Sequence, residues 1–500
     1  MSRLKELKKK EEAALTAGGP DAAKNQHKAG KKTARERITA LVDAASFVEI
    51  DKFVKGSTVS PGRESVSEVG EGVVCGYGTV DGRPVFVYAQ DYTVLAGSVS
   101  VAHARKILKV MDMAATSGIP VIGIIDSGGA RIAEGVAAVN SYAAILKKLN
   151  EISGVVPTIC VVAGSCIGTA AYIAATMDFC FTIDKISKVA LHGPQIYQAT
   201  FGDEIDVKTA FSAKAANEVT GVSQFLAASE DECYAELKKL LGYLPSNNLE
   251  SSPYEVGSDD LNRQLAGFDE AYEPKALIQN VSDGGACLEY QAFYGTEIVT
   301  AFGRINGNAV GFVANGTEGR ISPHAARKAS RFVSILDAYN IPIITFTNLG
   351  GTDVSLKQRC MTTAGAGLIA AYAGCGSPML NVITGEAVGD GYAMMCPKAL
   401  GADLVYAWPQ AVITAMPPEA GALLLYEKDI EQAQDGVKAK QDAVAKYREE
   451  YANPWQAAEQ GVVDDVIEPA RTRQMLIAGL EMCQTKRVQR LPKKHDVKTL

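Results

Sequence analysis

No Cys-x-x-Cys pair occurs in this sequence, although ten cysteines are scattered along its 500 residues. That argues against a zinc ribbon or a secreted disulfide framework and leaves reduced thiols, and a cytoplasmic location, as the expectation. Long apolar runs are missing too. The longest nearly apolar stretches, 119–125 and 154–164, fall well short of the ~20 residues that a membrane span needs. No apolar segment follows the basic N-terminus, so no secretory signal is expected. Histidine is scarce: five residues, at 27, 103, 192, 324 and 495, none at metal-ligand spacing, so no metal is expected. Gly30-Lys31-Lys32-Thr33 lacks the glycine five residues earlier that a phosphate-binding loop requires. Gly76-Tyr77-Gly78 has Asp81 where a dinucleotide fingerprint needs its third glycine. Ser165 follows Gly164 directly, so it is no nucleophile elbow.

What is present is a globular composition, with 47% hydrophobic and 21% charged residues, and length enough for two to four domains. The net charge of −7 is uneven. Residues 1–37 carry eleven Lys and Arg against five Asp and Glu, and the last fifteen carry six against one, which leaves −18 on the body. The basic start mixes Lys with Glu at helical spacing and has no interleaved aromatics. It reads as a solvated helical arm, not a nucleic-acid contact, because an acidic body repels phosphate.

The pattern then alternates. Strand-like runs cover 47–50, 73–76 and 85–89, the last after an Asp81-Gly82 turn. A helix spans about 98–117, closed by Gly118 and Pro120. The apolar strand 121–125 ends in Asp126-Ser127-Gly128-Gly129, a helix follows to residue 152, and the strand 158–163 runs into Gly164-Ser165-Cys166-Ile167-Gly168. Buried strands alternating with helices give an α/β class. The second half repeats the order. Residues 118–130 lie over 340–352; Pro157, Gly164 and Gly168 lie over Pro378, Gly385 and Gly389; Gly78 lies over Gly303 and Asp178 over Asp403. Offsets of 221 to 225 imply two duplicated α/β domains, with the boundary in the polar stretch 245–273. The expected division is an arm over 1–40, one domain over 41–250 and another over 270–500.

Side-chain kits for catalysis are thin. His192 could line a cleft or be a hydrogen-bonded structural histidine; Cys166 could be a reactive thiol or a small packed residue. Glycines at strand-to-helix junctions remain: Gly128-Gly129, Gly164 with Gly168, Gly350-Gly351, and Gly385 with Gly389-Asp390-Gly391. Such turns let backbone approach a ligand, and two helix-start N–H groups aimed at one oxygen make an oxyanion hole. Two equivalent turns in duplicated domains suggest paired anion-stabilising sites.

These residues resemble a known family, the biotin-dependent acyl-CoA carboxyltransferases. The likeness starts at residues 24–38 and continues through Gly70-Glu71-Gly72, 90–94, the specific Asp-Ser-Gly-Gly-Ala-Arg-Ile of 126–132, 164–172 and Tyr406-Ala407-Trp408-Pro409, ending at 492–495. Within the family the chain is similar to methylmalonyl-CoA decarboxylase alpha and propionyl-CoA carboxylase beta subunits, and residues 241–248 and the C-terminal end look most like the former. The resemblance implies two crotonase-type spiral domains, with acyl-CoA on the first and biotin on the second. It implies a homo-hexamer whose N-terminal domains face C-terminal domains of other subunits. By position it implies a thioester enolate held by the amides of Gly168 and Thr169, and the ureido oxygen of biotin held by those of Asp390 and Gly391. Gly97, Ser98, Gly128, Gly129, Ala130 and Arg131 would seat the CoA ester, and Gly389, Tyr392, Gly350 and Gly351 would shape the biotin side. The chain lacks a Met-Lys-Met biotinylation site, so biotin would arrive on a carboxyl carrier protein, with a biotin carboxylase or a membrane decarboxylase pump as further partner. Five departures stand out. Gly168-Thr169-Ala170 and Gly389-Asp390-Gly391 replace Gly-Gly-Ala, Asn315-Gly316-Thr317 replaces Asn-Gln-Pro, Leu349-Gly350-Gly351-Thr352 replaces Val-Pro-Gly-Phe, and Ala393 stands where Asp is usual. The expected function is carboxyl transfer between a malonyl-type CoA ester, methylmalonyl-CoA above all, and carrier-bound biotin. A biotin-independent acyl-CoA lyase and a non-catalytic ring subunit remain the alternatives.

Overall fold

The computed structural model describes residues 2–56, 69–202, 205–257, 259–268, 273–315, 319–352, 360–489, 491, 492, 494 and 497. Gly316, Thr317, Lys493 and His495 of the motifs above lie outside the described residues. The chain divides into two compact units, Met1–Glu250 and Ser251–Leu500.

The first unit opens with three helices, α1 (Arg3–Leu15), α2 (Gly19–Lys28) and α3 (Ala34–Leu41). Gly18, left-handed at φ 80°, ends the first excursion and starts α2. Thr33 and Glu36 close a capping box on α3. Eight strands follow: β1 (Val48–Ile50), β2 (Val73–Val80), β3 (Arg83–Gln90), β4 (Val121–Ser127), β5 (Thr158–Ile167), β6 (Phe179–Ile183), β7 (Lys188–Ala190) and β8 (Phe225–Ala227). Helices α4 (Val101–Ser117), α5 (Val136–Ile152) and α6 (Ala170–Thr176) lie between them. The sheet order is β1-β2-β3-β4-β5-β6-β8, with β7 paired to β5. Pairing is antiparallel through β3 and parallel beyond it.

The second unit repeats this plan with β9 (Cys287–Tyr290), β10 (Ile298–Ile305), β11 (Asn308–Asn315), β12 (Ile343–Leu349), β13 (Met379–Val388), β14 (Leu404–Ala407), β15 (Val412–Thr414) and β16 (Asp465–Val466). Read from β9, its order is β9-β10-β11-β12-β13-β14-β16, with β15 paired to β13. Strand for strand the two sheets match. The repeat anchors have structural reasons. Pro157 and Pro378 offer carbonyls to the amides of Val121 (3.0 Å) and Ile343 (2.8 Å), and Asp178 and Asp403 accept those of Thr158 (2.9 Å) and Met379 (2.8 Å). Asp81-Gly82 and Asn306-Gly307 make left-handed hairpin turns at φ 50° and 77°, and 48° and 75°.

Two details differ from the sequence reading. The helix read from residue 98 begins at Val101, because Val99 bridges Ala130. The strand read as ending at Ala163 continues to Ile167 and picks up β7. Central strands are buried on both faces, as parallel sheets under helices are, with α4 and α5 contributing Ile107, Met111, Tyr142 and Ile145 to the first core. A separate core, around Phe312, Phe346 and Trp408, fills the second unit. Among the described residues no helix is long and apolar enough to cross a membrane.

Candidate active site: two glycine turns on two matching sheets

Each site begins with a break in strand register. β4 and β5 pair Ile125 with Val162 and then Ser127 with Cys166, so three residues face Asp126 alone. β12 and β13 pair Thr347 with Ile383 and then Leu349 with Ala387, leaving three residues opposite Asn348. A bulge bends its strand and strands an amide. Asp126 and Asn348 fill the gap, accepting the N–H of Ser165 (3.2 Å) and Glu386 (2.9 Å). This explains Gly164 and Gly385. A Cβ at Gly164 would stand 2.0 Å from Asp126 Oδ1, and one at Gly385 2.4 Å from Asn348 Oδ1. These two glycines admit a neighbouring side chain, not a ligand.

Asp126 is fully buried and charged groups converge on it. Arg37 NH1 (3.0 Å), Lys31 Nζ (3.0 Å) and Gln26 Nε2 (3.1 Å) all reach its carboxylate. Arg37 also binds Glu230 through Nε (3.1 Å) and the Ala163 carbonyl (2.6 Å). Burial alone would lower the Arg37 pKa, but Asp126 and Glu230 more than offset that and hold it above its ordinary value. The basic segment read as an arm is thus solvated along α1 and most of α2, but Gln26, Lys31 and Arg37 end inside the first unit.

Beyond each bulge the strand reaches its turn. Gly168, at φ 74°, donates its amide to the Ala190 carbonyl on β7 (2.9 Å), and Gly389, at φ 55°, donates to Thr414 on β15 (3.0 Å). The Gly168 expectation is therefore corrected: its N–H is spent inside the sheet. The amides that follow it, Thr169 and Ala170, have no acceptor among the described residues, and Asp390 and Gly391 are their counterparts. The first N–H groups of a helix have no internal partner, which leaves these pairs open to an oxygen.

The adjoining loops are internally tied. Gly97 and Ser98 donate to the Val94 (2.9 Å) and Leu95 (3.1 Å) carbonyls, Gly128 to Ala96 (2.9 Å), and Gly129 to the Ser127 hydroxyl (3.1 Å). Leu95, Ala96 and Gly97 are consecutively left-handed, at φ 50°, 53° and 60°, a costly arrangement for non-glycine residues. Ala130 bridges Val99, as Thr352 bridges Ile321 in the second unit. Arg131 corrects a second expectation. It is buried, pairs with the buried Glu71, and donates to the Ser98 carbonyl (3.0 Å) and hydroxyl (3.3 Å). A buried carboxylate needs a counter-charge, and Arg131 supplies it while tying down the loop.

In the second unit, a Cβ on Gly350 would lie 2.2 Å from Glu386 Oε2, and one on Gly391 2.6 Å from the Leu349 carbonyl. The loop sits so close to the turn that alanine is excluded at 391. The Asp390 carboxylate turns aside to the Thr352 hydroxyl (2.6 Å). Tyr392 is half-buried, and burial raises its phenol, so it stays protonated. Burial pushes the Cys166 thiol far up, which removes it as a nucleophile. His192 is exposed. Sequence reasoning missed Asn348, Glu386 and the Asp126 cluster; their signal was the residue preceding each strand-end turn and the mixed charges of 26–37.

Two matching sheets, each ending in a turn with a pair of open amides, define a duplicated scaffold of crotonase type. A family model described as carboxyl transferase domain matches residues 25–498, and the chain belongs to that family. It is a carboxyltransferase subunit. It is 41% identical to the methylmalonyl-CoA decarboxylase subunit alpha of Veillonella parvula, over 96% of this chain and 95% of that one. The Propionigenium modestum subunit of the same description is 38% identical over 99% and 98%. A crystal structure of transcarboxylase 12S, described as a hexamer and holding methylmalonyl-coenzyme A and methylmalonic acid, superposes with a TM-score of 0.96 at 34% identity, covering 100% of this chain and 98% of that one.

Proposed function

We propose that this subunit moves a carboxyl group between a malonyl-type CoA ester, the methylmalonyl-CoA and propionyl-CoA pair, and biotin borne on a separate carrier protein. The observation that carries it is the pair of open amides recurring at equivalent places, Thr169 with Ala170 and Asp390 with Gly391. When the bond from Cα to the carboxyl carbon breaks, its electrons pass onto the thioester oxygen. The Thr169 and Ala170 amides stabilise that charge as it grows, so no side-chain base is obligatory. Gly128 and Gly129 leave backbone, not side chain, beside the thioester.

The second turn fits a urea oxygen, because two amides are open and the Asp390 carboxylate beside them is held through Oδ2 by the Thr352 hydroxyl. Asp390 and Gly391 would hold that oxygen, with Gly389, Tyr392, Gly350 and Gly351 around it. Biotin supplies the nitrogen that takes or gives the carboxyl group. The Asp126 cluster holds the first turn rigid. A hexamer like that of transcarboxylase 12S, a carrier protein, and a biotin carboxylase or membrane decarboxylase pump complete the reading, in the cytoplasm.

The test is decarboxylation of methylmalonyl-CoA by the purified protein with and without biotin. Turnover that needs biotin supports the transferase. Turnover without it assigns a biotin-independent lyase. Tight CoA binding with no turnover assigns a non-catalytic ring subunit.

A further inference from the structure

The two donor turns share a backbone plan but differ in the charge set around them. Register makes the comparison position by position. Ser165 precedes Cys166, which pairs with Ser127; Glu386 precedes Ala387, which pairs with Leu349. Thr169 and Asp390 each follow the glycine whose amide bonds to the short side strand. Ala130 and Thr352 occupy the same bridge. Two hydroxyls in the first turn therefore become two carboxylates in the second, and a methyl becomes the hydroxyl that holds one of them.

Both carboxylates lie against glycine, Asp390 held by a hydrogen bond and Glu386 exposed. Glu386 has its amide held by Asn348 and its Oε2 above Gly350 and Gly319, whose added Cβ atoms would come to 2.2 Å and 3.3 Å. Asp390 takes the Thr352 hydroxyl on Oδ2 (2.6 Å), and its Oδ1 lies 3.4 Å from where a Cβ on Gly351 would be. Gly351 sits at φ 131°, a conformation that side chains disfavour, so the space before Oδ1 stays clear. Neither carboxylate has a Lys or Arg ion-pair partner among the described residues.

We propose that Asp390, with Glu386 beside it, determines the specificity of the second turn: Oδ1 accepts an N–H of the urea whose oxygen is held by the Asp390 and Gly391 amides. This rests on the transferase reading. A urea presents an acceptor oxygen beside N–H donors, and one residue that donates through its backbone and accepts through its side chain answers both. A malonyl-type thioester presents its oxygen beside a carboxylate. The thioester has no N–H to give Oδ1, whereas the urea does, so the second turn favours the urea over it.

The experiment uses the full-length protein and the substitution Asp390→Thr, which installs the first-half residue at an exposed position. Calorimetry measures binding of biotin and of 2-imidazolidinone, and steady-state kinetics measures KM for biotin and for methylmalonyl-CoA. Asp390→Thr should weaken both ureas by about tenfold or more, as loss of a charge-assisted hydrogen bond does, and leave KM for methylmalonyl-CoA unchanged. N,N′-dimethyl-imidazolidinone, which has no N–H, should bind wild type and variant equally. Thr352→Val, which frees the carboxylate, should weaken biotin less than Asp390→Thr. Unaltered biotin affinity in Asp390→Thr, with biotin-dependent turnover intact in the wild type, overturns this inference alone. A wild type that neither binds nor needs biotin overturns the transferase reading and this inference with it.

Discussion

Gly168 shows how one backbone hydrogen bond moves a functional assignment by a residue, and Gly389 makes the equivalent bond. Each spends its amide on a side strand, so the proposed oxyanion role belongs to the two amides that follow. Thr169 already has φ −60°, which proline tolerates. Thr169→Pro removes a donor without displacing the chain, and kcat for carboxyl transfer should fall by about 10²–10³ while the circular dichroism spectrum is retained. His103 offers a residue-scale test of pH dependence. It is fully buried, bonded to the Glu71 carbonyl (2.9 Å) and Gln90 (3.2 Å), and burial lowers its pKa from 6.5 to about 3. The folded state holds the neutral ring, so its contribution is complete above pH 6.5 and is lost progressively as pH falls toward 3. Between pH 7 and 5 this amounts to about 2 kcal/mol, and His103→Gln should shrink the pH 7 to 5 loss in urea stability by up to that much.

At the scale of elements, the bulges decide where strands deliver their turns, and each is plugged from the neighbouring strand. The second unit uses neutral Asn348. The first uses Asp126, because a basic segment reaches it and a buried cation needs a partner. Arg37→Met would leave Asp126 and Glu230 short of their shared counter-charge and should cost about 3–5 kcal/mol in chemical denaturation. Lys31→Met should cost less, because that side chain is 13% exposed and Arg37 remains on the carboxylate. The duplicated order of elements was legible in the sequence, since proline, glycine and aspartate recur at near-constant offset where both sheets need them. The one-residue shift at Gly168 was not, because β7 is three residues long and its pairing is a tertiary event. Arg131 misled for a similar reason: a motif arginine looks like a ligand contact until Glu71, sixty positions away in sequence, is seen to claim it.

For the whole molecule, the cores around Ile125 and around Trp408 share no residue. A lesion in one should therefore loosen one unit. Trp408 is fully buried, with Nε1 bonded to the Thr472 hydroxyl (2.9 Å), so Trp408→Ala should cost about 3–5 kcal/mol. Hydrogen exchange should rise in peptides of β12 to β14 while those of β4 to β6 keep their protection. Equal loss across both would contradict the separation of the cores.

The exchange of hydroxyls for carboxylates between otherwise matching turns has a wider consequence. Duplication by itself yields a catalyst with two identical mouths, each as ready for one reactant as for the other, and such a catalyst sorts nothing. Two side chains and the threonine that holds one of them give this molecule a heads and a tails.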